Sequence, residues 1–166
     1  MEEQHQSYHI LEIIRGTTVD GPGFRTSIYF AGCNHRCEGC HNPHSHDPQG
    51  GKLMSLEEIM QIVEEEDFDV TLSGGDPLYD PLKARKLVKA LKAHNRNVWI
   101  YTGYTWEEIT SSTEFLKAIE DADVVVDGRF EMSLRNTDLR FRGSSNQRII
   151  DIRASLMQEM PVIWKD

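Results

Sequence analysis

Cysteine is almost absent from this chain of 166 residues, and its only three cysteines lie together between positions 33 and 40. An odd number of clustered thiols excludes the disulfide framework of a small secreted domain. The N-terminal stretch MEEQHQS has neither the basic nor the apolar region of a signal peptide, and no apolar run approaches the ~20 residues of a membrane-spanning helix. We therefore expect a soluble, cytoplasmic protein in a reducing compartment.

Basic residues are also in the minority. The chain has 18 Lys and Arg residues against 27 Asp and Glu residues, for a net charge of −9. This charge opposes non-specific binding to a polyanion, because the phosphate backbone attracts positively charged surfaces. We expect neither nucleic acid nor a membrane as a partner.

Short apolar runs rich in β-branched and aromatic residues alternate with segments of helical periodicity. Helices are predicted to begin at the capping box Ser55–Glu58, at Asp80-Pro81, and at a second capping box, Thr105–Glu108, whose helix is expected to continue to Ile119. The segments predicted to be strands are 8–14, 27–31, 69–72, 98–101, 124–126, 147–152 and 161–164.

The alternation of strands and helices predicts an α/β fold, with a mostly parallel sheet of about six strands and the helices on its outside. No repeat or linker divides the chain, so residues 1–166 are predicted to form a single domain. Because a closed eight-unit barrel needs ~250 residues, we expect an open or partial (β/α) barrel.

Glycine and polar residues follow four of the predicted strands directly. They form the cysteine loop after residue 31 and the clusters at 73–76, 102–104 and 127–128. In a parallel sheet the carboxyl ends of the strands share one edge, where such folds build their binding sites. The four loops are therefore predicted to converge on one site.

The cysteines have the spacing Cys33-x3-Cys37-x2-Cys40. Clustered thiolates of this kind are typical metal ligands. A [4Fe-4S] cluster on three cysteines would keep one iron free of protein ligands, and an open metal position is what catalysis uses. A structural zinc ion would instead need a fourth ligand, which could be His35, His41, His44 or His46. The spacing alone leaves both metals open.

Residues 71–78, TLSGGDPL, place two glycines and a carboxylate at a strand end. The missing side chains of Gly74 and Gly75 would let a ligand approach the backbone, and Asp76 is suited to an ammonium group. The alternative is a plain turn, because Gly-Asp-Pro is common turn chemistry.

Together and in this order, the cysteine loop and the Gly74–Pro77 turn resemble the radical S-adenosylmethionine superfamily. Within it, the chain resembles the activators of anaerobic ribonucleoside-triphosphate reductase. The stretches that carry this likeness are DGPGFR (20–25), GCNHRCEGCHN (32–42), LSGGDPL (72–78), WIYTGYTWEE (99–108), VVVDGRF (124–130) and FRGSSNQR (141–148).

The resemblance implies an oxidoreductase with two cofactors. Cys33, Cys37 and Cys40 would hold a [4Fe-4S] cluster, and S-adenosyl-L-methionine would occupy its fourth iron. Reductive cleavage would give a 5′-deoxyadenosyl radical, which would generate a glycyl radical on the large subunit of anaerobic ribonucleotide reductase. The other implied partner is an electron donor such as reduced flavodoxin.

The resemblance also implies roles for residues around the cluster. Gly74, Gly75 and Asp76 would hold the methionine ammonium group. The chain has Gly39 where the superfamily often has an aromatic residue, so the adenine would stack elsewhere, on His41 or Tyr104. Residues placed along the adenine and ribose are Gly39, Cys40 and His41. Weaker candidates to bind the polar groups of the cofactor are Thr102, Asp127, Ser144 and Asn146. Three arginines could bind the cofactor carboxylate, bind the partner protein or form structural ion pairs, namely Arg25, Arg142 and Arg148.

Two other functions remain open. One is the activation of another glycyl-radical enzyme, such as pyruvate formate-lyase, although the short chain and the stretch RGSSNQR favour the reductase. The other, from a different class, is a zinc-stabilised binding module without catalysis.

Overall fold

The structure is a computed structural model that describes residues 6–40 and 42–166. The strands are β1 (Ser7–Thr17), β2 (Arg25–Phe30), β3 (Lys52–Ser55), β4 (Asp69–Gly74), β5 (Val98–Tyr101), β6 (Val124–Asp127) and β7 (Arg148–Asp151). The helices are α1 (Leu56–Glu66), α2 (Pro81–Ala93), α3 (Trp106–Thr110), α4 (Thr113–Ile119) and α5 (Ile152–Gln158). The fold is α/β, and none of these helices is long and apolar enough to cross a bilayer.

The strands form one mixed, open sheet in the order β3-β1-β2-β4-β5-β6-β7. Only the four central strands, β2, β4, β5 and β6, are parallel to one another. β1 runs antiparallel to β2 and β3, and β7 runs antiparallel to β6. The expectation of a mostly parallel sheet was therefore only partly right. The link from Thr17 to Arg25 is too short for a crossover helix, so β1 and β2 pair as antiparallel neighbours.

Several boundaries differ from the sequence predictions. The strand predicted at 161–164 was wrong, since there Ile163 forms only an isolated bridge with Ile150. The helix predicted from Thr105 to Ile119 is divided into α3 and α4, because the Ser112 side chain accepts a hydrogen bond from the Phe115 amide and starts a new helix. The short strand β3 and helix α5 were not predicted.

Helices α1 to α4 cover one face of the parallel strands. Val70, Leu72, Val98 and Ile100 belong to the hydrophobic core on this face, together with buried residues of α1 to α4. Because side chains alternate along a strand, Thr71, Ser73 and Tyr101 face the other side of the sheet. That second face, with no helix from α1 to α4, is where the candidate site lies.

A buried arginine covers the second face at the amino ends of the parallel strands. Arg25 is 1% exposed, and its guanidinium donates hydrogen bonds to Thr71 Oγ1 at 2.8 Å and to the Val70 carbonyl at 2.9 Å. It also lies 5.6 Å from the ring of Trp99, and burial lowers its pKa. These contacts support a structural role for Arg25, at the end of β2 opposite the cysteine loop.

Candidate functional site

One cavity of ≈ 240 Å³ lies at the carboxyl ends of the parallel strands. It is lined from four separate segments of the chain, which follow β2, β4, β5 and β6 as the strand pattern predicted. The residues predicted from sequence that line it are Cys33, His35, Cys37, Cys40, Gly74, Gly75 and Thr102, together with Gly128 beside Asp127. The structure thus brings the cysteine loop and the Gly-Gly turn to one place.

All three cysteines are free, half-buried thiols. Burial raises the pKa of the Cys33 and Cys37 thiols, so metal binding would have to release their protons. Within residues 6–40 and 42–166, no group of three or more His, Cys, Asp or Glu side chains is arranged to hold a single metal ion. Three thiols on one loop around one cavity fit an iron-sulfur cluster, which takes its ligands on separate irons.

The two glycines of the turn let it pack closely on the start of the cysteine loop. A Cβ on Gly74 would lie 2.2 Å from the Phe30 amide nitrogen, and a Cβ on Gly75 would lie 2.3 Å from the Gly32 carbonyl oxygen. The Gly75 amide donates to the Phe30 carbonyl at 2.7 Å, and the Asp76 amide donates to the Gly32 carbonyl at 2.8 Å. The glycines therefore have a packing function in addition to the ligand contact predicted for them.

Asp76 is 2% exposed, and its carboxylate already has four hydrogen-bond neighbours. Oδ1 accepts from the Leu78 amide at 2.9 Å. Oδ2 accepts from the Thr102 hydroxyl and the Gly103 amide, each at 2.9 Å, and lies 2.6 Å from His35 Nε2. Contact with a ligand ammonium group stays a prediction for Asp76, and it would add a fifth donor.

Asp127 has its carboxylate on the side of α3. It accepts from the Trp106 amide at 2.8 Å and from Arg148 Nη2 at 2.6 Å. Arg148 also donates to Glu107 at 2.7 Å, and these two carboxylates, Asp127 first, raise the pKa of the guanidinium. Asp127 is not among the residues that line the cavity, so a contact between Asp127 and a cofactor stays a prediction.

The residues predicted to lie along the adenine are found in different settings. Gly39 has a φ of +70°, and a Cβ at this position would lie 1.9 Å from Met132 Cε, so Met132 fills the space that an aromatic side chain would need. His41 lies outside the described residues. Tyr104 packs against His35 and Phe115, with ring centroids 4.5 and 4.4 Å apart, and does not line the cavity.

Sequence reasoning did not identify Phe130, Gly143 and Gln147, which line the cavity. Gln147 Oε1 accepts from the Gly143 amide at 2.9 Å, and its Nε2 donates to the Gly128 carbonyl at 3.0 Å. All of them lie in the connection between β6 and β7. Because β7 runs antiparallel to β6, this connection begins and ends at the site edge, and recognising that direction would have predicted them.

The weaker polar candidates of this connection are bonded within it. Ser144 Oγ accepts from the Glu131 amide at 3.1 Å, and Asn146 Nδ2 donates to the Arg129 carbonyl at 2.7 Å. Arg142 donates to the Ser145 and Gln147 carbonyls. These bonds hold the connection in shape around the cavity.

A second cavity of ≈ 400 Å³ adjoins the first, and the lining residues common to both are Asn42, Ser73, Gly74, Tyr101 and Gly143. The side of the second cavity away from the cysteines is lined by Asp20 and Tyr29. Tyr29 donates a hydrogen bond to the Asp20 carboxylate, and burial together with this contact raises the pKa of Tyr29. The two cavities form a continuous hollow on the second face of the sheet.

Comparison with known proteins adds independent information. Residues 19–150 match the family described as a 4Fe-4S single cluster domain. The chain is 35% identical over 139 residues to the anaerobic ribonucleoside-triphosphate reductase-activating protein of Enterobacteria phage T4. This alignment covers 79% of this chain and 86% of the relative.

Proteins of the same name from two bacteria are similarly related. The one from Escherichia coli (strain K12) is 31% identical over 145 residues, or 81% of this chain and 93% of the relative. The one from Vibrio cholerae serotype O1 is 32% identical over 155 residues, or 87% of this chain and 95% of the relative. These matches favour iron-sulfur over zinc for the three thiols.

Proposed function

Since the chain belongs to the family of anaerobic ribonucleoside-triphosphate reductase-activating proteins, we propose that it activates such a reductase by generating a glycyl radical on its large subunit. The observation that carries this proposal is the single cavity lined by three free thiols and by the Gly74–Gly75 turn. The thiols would hold the cluster, and the remaining space would admit S-adenosylmethionine.

Cys33, Cys37 and Cys40 would each ligate one iron of a [4Fe-4S] cluster, which leaves one iron for the amino and carboxylate groups of S-adenosylmethionine. When bound, the reduced cluster would supply one electron for cleavage of the sulfonium to methionine and a 5′-deoxyadenosyl radical, and that radical would take a hydrogen atom from a glycine Cα of the partner. An external donor such as reduced flavodoxin would restore the electron.

The other lining residues would orient the substrate and exclude water. Backbone groups at Gly74 and Gly75 are proposed to hold the methionine ammonium group, with Thr102 beside them. Tyr101 and Phe130 line the cavity and Tyr104 does not, so either of these two rings is better placed than Tyr104 to contact the adenine. Apolar walls of this kind protect a reactive radical from side reactions with solvent.

The first test is anaerobic reconstitution followed by iron, sulfide and zinc analysis. We expect about four irons and four sulfides per chain. With a reductant and S-adenosylmethionine, the loaded chain should release 5′-deoxyadenosine, and with the reductase it should give the electron paramagnetic resonance doublet of a glycyl radical. Stoichiometric zinc without iron would overturn the proposal.

The matched variants are Cys37→Ala and His44→Ala, which change residues of the same loop. Cys37→Ala should abolish the release of 5′-deoxyadenosine, whereas His44→Ala should retain it, because His44 is exposed and does not line the cavity. Cofactor cleavage by Cys37→Ala would refute the ligand assignment. Radical formation on pyruvate formate-lyase but not on the reductase would support the alternative partner.

A further inference from the structure

A buried hydrogen-bond cluster connects the cysteine loop to two other loops of the site. Its centre is Asp76 Oδ2, which accepts from the Thr102 hydroxyl and the Gly103 amide after β5 and lies 2.6 Å from His35 Nε2 in the cysteine loop. Since this oxygen already accepts two hydrogen bonds from the loop after β5, an unprotonated ring nitrogen 2.6 Å away would set two acceptors against each other. His35 Nε2 therefore carries the hydrogen and donates it to Asp76.

The ring of His35 is held on several sides. Its side chain is 5% exposed, and that of Asp76 is 1% exposed. The ring packs edge-on against Tyr104 at 4.5 Å between centroids. It also occupies the space beside Gly103, where an added Cβ would lie 2.4 Å from His35 Cδ2. One orientation of the imidazole is thereby fixed.

His35 lies between Cys33 and Cys37 in the chain, so its position constrains both thiols. The start of the loop is already fixed by backbone bonds from Gly75 to Phe30 and from Asp76 to Gly32. His35 adds a side-chain attachment at the middle of the loop, immediately before Arg36, whose φ of 50° turns the chain. Without it, the segment that carries Cys37 would lose its side-chain attachment to the loops that follow β4 and β5.

We propose that the His35–Asp76 pair positions the cysteine loop for cluster binding, with both residues acting as positioning residues rather than as ligands of the metal. This inference rests on the proposed cluster site. Residues that orient metal ligands without touching the metal commonly contribute about 10-fold or more to its retention. The pair would give the three thiols the arrangement that the cluster requires.

The principal experiment measures how fast a chelator removes iron from the reconstituted chain under anaerobic conditions. His35→Ala should lose iron about 10-fold faster than the parent chain. His35→Gln should restore most of the difference, because its amide can donate to Asp76. The control His44→Ala should behave like the parent, and the electron paramagnetic resonance spectrum of reduced His35→Gln should match that of the parent.

Asp76→Asn tests the other member of the pair. The Asn amide would turn either its NH2 group, a donor, or its carbonyl oxygen, a weaker acceptor than a carboxylate, toward the donors of His35, Thr102 and Gly103. The variant should therefore also lose iron faster than the parent. Because the two residues act through one bond, the double variant should be little worse than either single variant.

A second measurement does not require iron. In the cluster-free chain, His35→Ala should increase the rate at which iodoacetamide alkylates the three half-buried thiols, and His35→Gln should reverse this increase. If the parent chain binds no iron, the proposed function fails, and the alkylation rates still decide whether the pair holds the loop.

Three outcomes would overturn the inference. His35→Ala could retain iron and resist alkylation as the parent does, which would show that the pair does not hold the loop. If His35→Ala and His35→Gln both lose iron fast while Asp76→Asn retains it as the parent does, His35 is a ligand of the iron. Normal iron retention by Asp76→Asn with weakened S-adenosylmethionine binding would instead place Asp76 at the ammonium group.

Discussion

At the scale of single residues, two buried aspartates near the site are fully engaged by their neighbours. Asp76 is bonded to His35, 41 positions earlier in the chain, and Asp127 to Arg148, 21 positions later. The sequence predicted both carboxylates at strand ends, because such positions are recognisable from the preceding apolar run. It could not predict their partners, since long-range pairs are decided by which loops the sheet brings together.

Replacing Arg148 by Met should destabilise the cluster-free chain by about 2 kcal/mol, because Asp127 would lose its charged donor while it remains buried. The Met side chain retains most of the packing of the arginine stem. The free energy of unfolding in urea at neutral pH measures the effect.

Arg129→Met is the matched control. Arg129 pairs with Glu108 at the surface, where both side chains are more than two-fifths exposed, so its loss should cost less than about 1 kcal/mol. Equal destabilisation by the two variants would show that the burial of Asp127 is not what makes its ion pair important.

At the scale of elements, α3 illustrates both the reach and the limit of sequence patterns. Its capping box was predicted correctly: the Glu108 carboxylate accepts from the Thr105 amide at 2.8 Å, and the Thr105 hydroxyl accepts from the Glu108 amide at 3.2 Å. The end of the helix was not predicted, because the apolar residues of α4 continue the same periodicity and Ser112 gives only a weak stop signal. Because a helix of five residues is too short to be stable by itself, α3 depends strongly on its cap.

The capping box should make stability depend on pH. The hydrogen bond from the Thr105 amide lowers the pKa of Glu108, so its contribution is complete above the unfolded value of about 4.3 and is lost as the pH falls through the lower folded value. Glu108→Gln retains an acceptor at this position but does not titrate.

We therefore expect the stability of Glu108→Gln to fall less than that of the parent as the pH drops below about 4.3, and to be similar at neutral pH. Urea unfolding of the cluster-free chains across this range measures the difference. Superimposable pH profiles would mean that the cap does not distinguish the folded from the unfolded state.

At the scale of the whole molecule, the cavity lies outside the main hydrophobic core, and Tyr101 and Val126 of a smaller apolar cluster line it. The core lies between the sheet and α1 to α4 and contains fully buried residues such as Ile28, Leu72 and Ile100. None of the three cysteines belongs to it. A core of this kind does not need a metal to form, in contrast to small domains that fold only when a metal binds.

Removal of iron by a chelator should thus leave the secondary structure and cooperative unfolding of the chain intact. Far-ultraviolet circular dichroism and urea unfolding, recorded before and after anaerobic chelation, provide the measurement. Leu72→Ala is the contrasting variant, and it should cost about 3 kcal/mol because it removes a fully buried side chain from the central strand. Loss of the circular dichroism spectrum on chelation would show that the cluster is needed for folding.

By itself, the sequence determined the features that depend on neighbouring residues. The spacing of Cys33, Cys37 and Cys40, the capping boxes, the four parallel strands and the loops that follow them could all be predicted from short stretches. Only the tertiary structure decided that β1 and β7 run antiparallel, that Phe130 and Gln147 reach the cavity, and that Asp76 meets His35. The physical reason is that these outcomes depend on the free energy of packing and burial between segments far apart in the chain, and a pattern of neighbouring residues does not report that free energy.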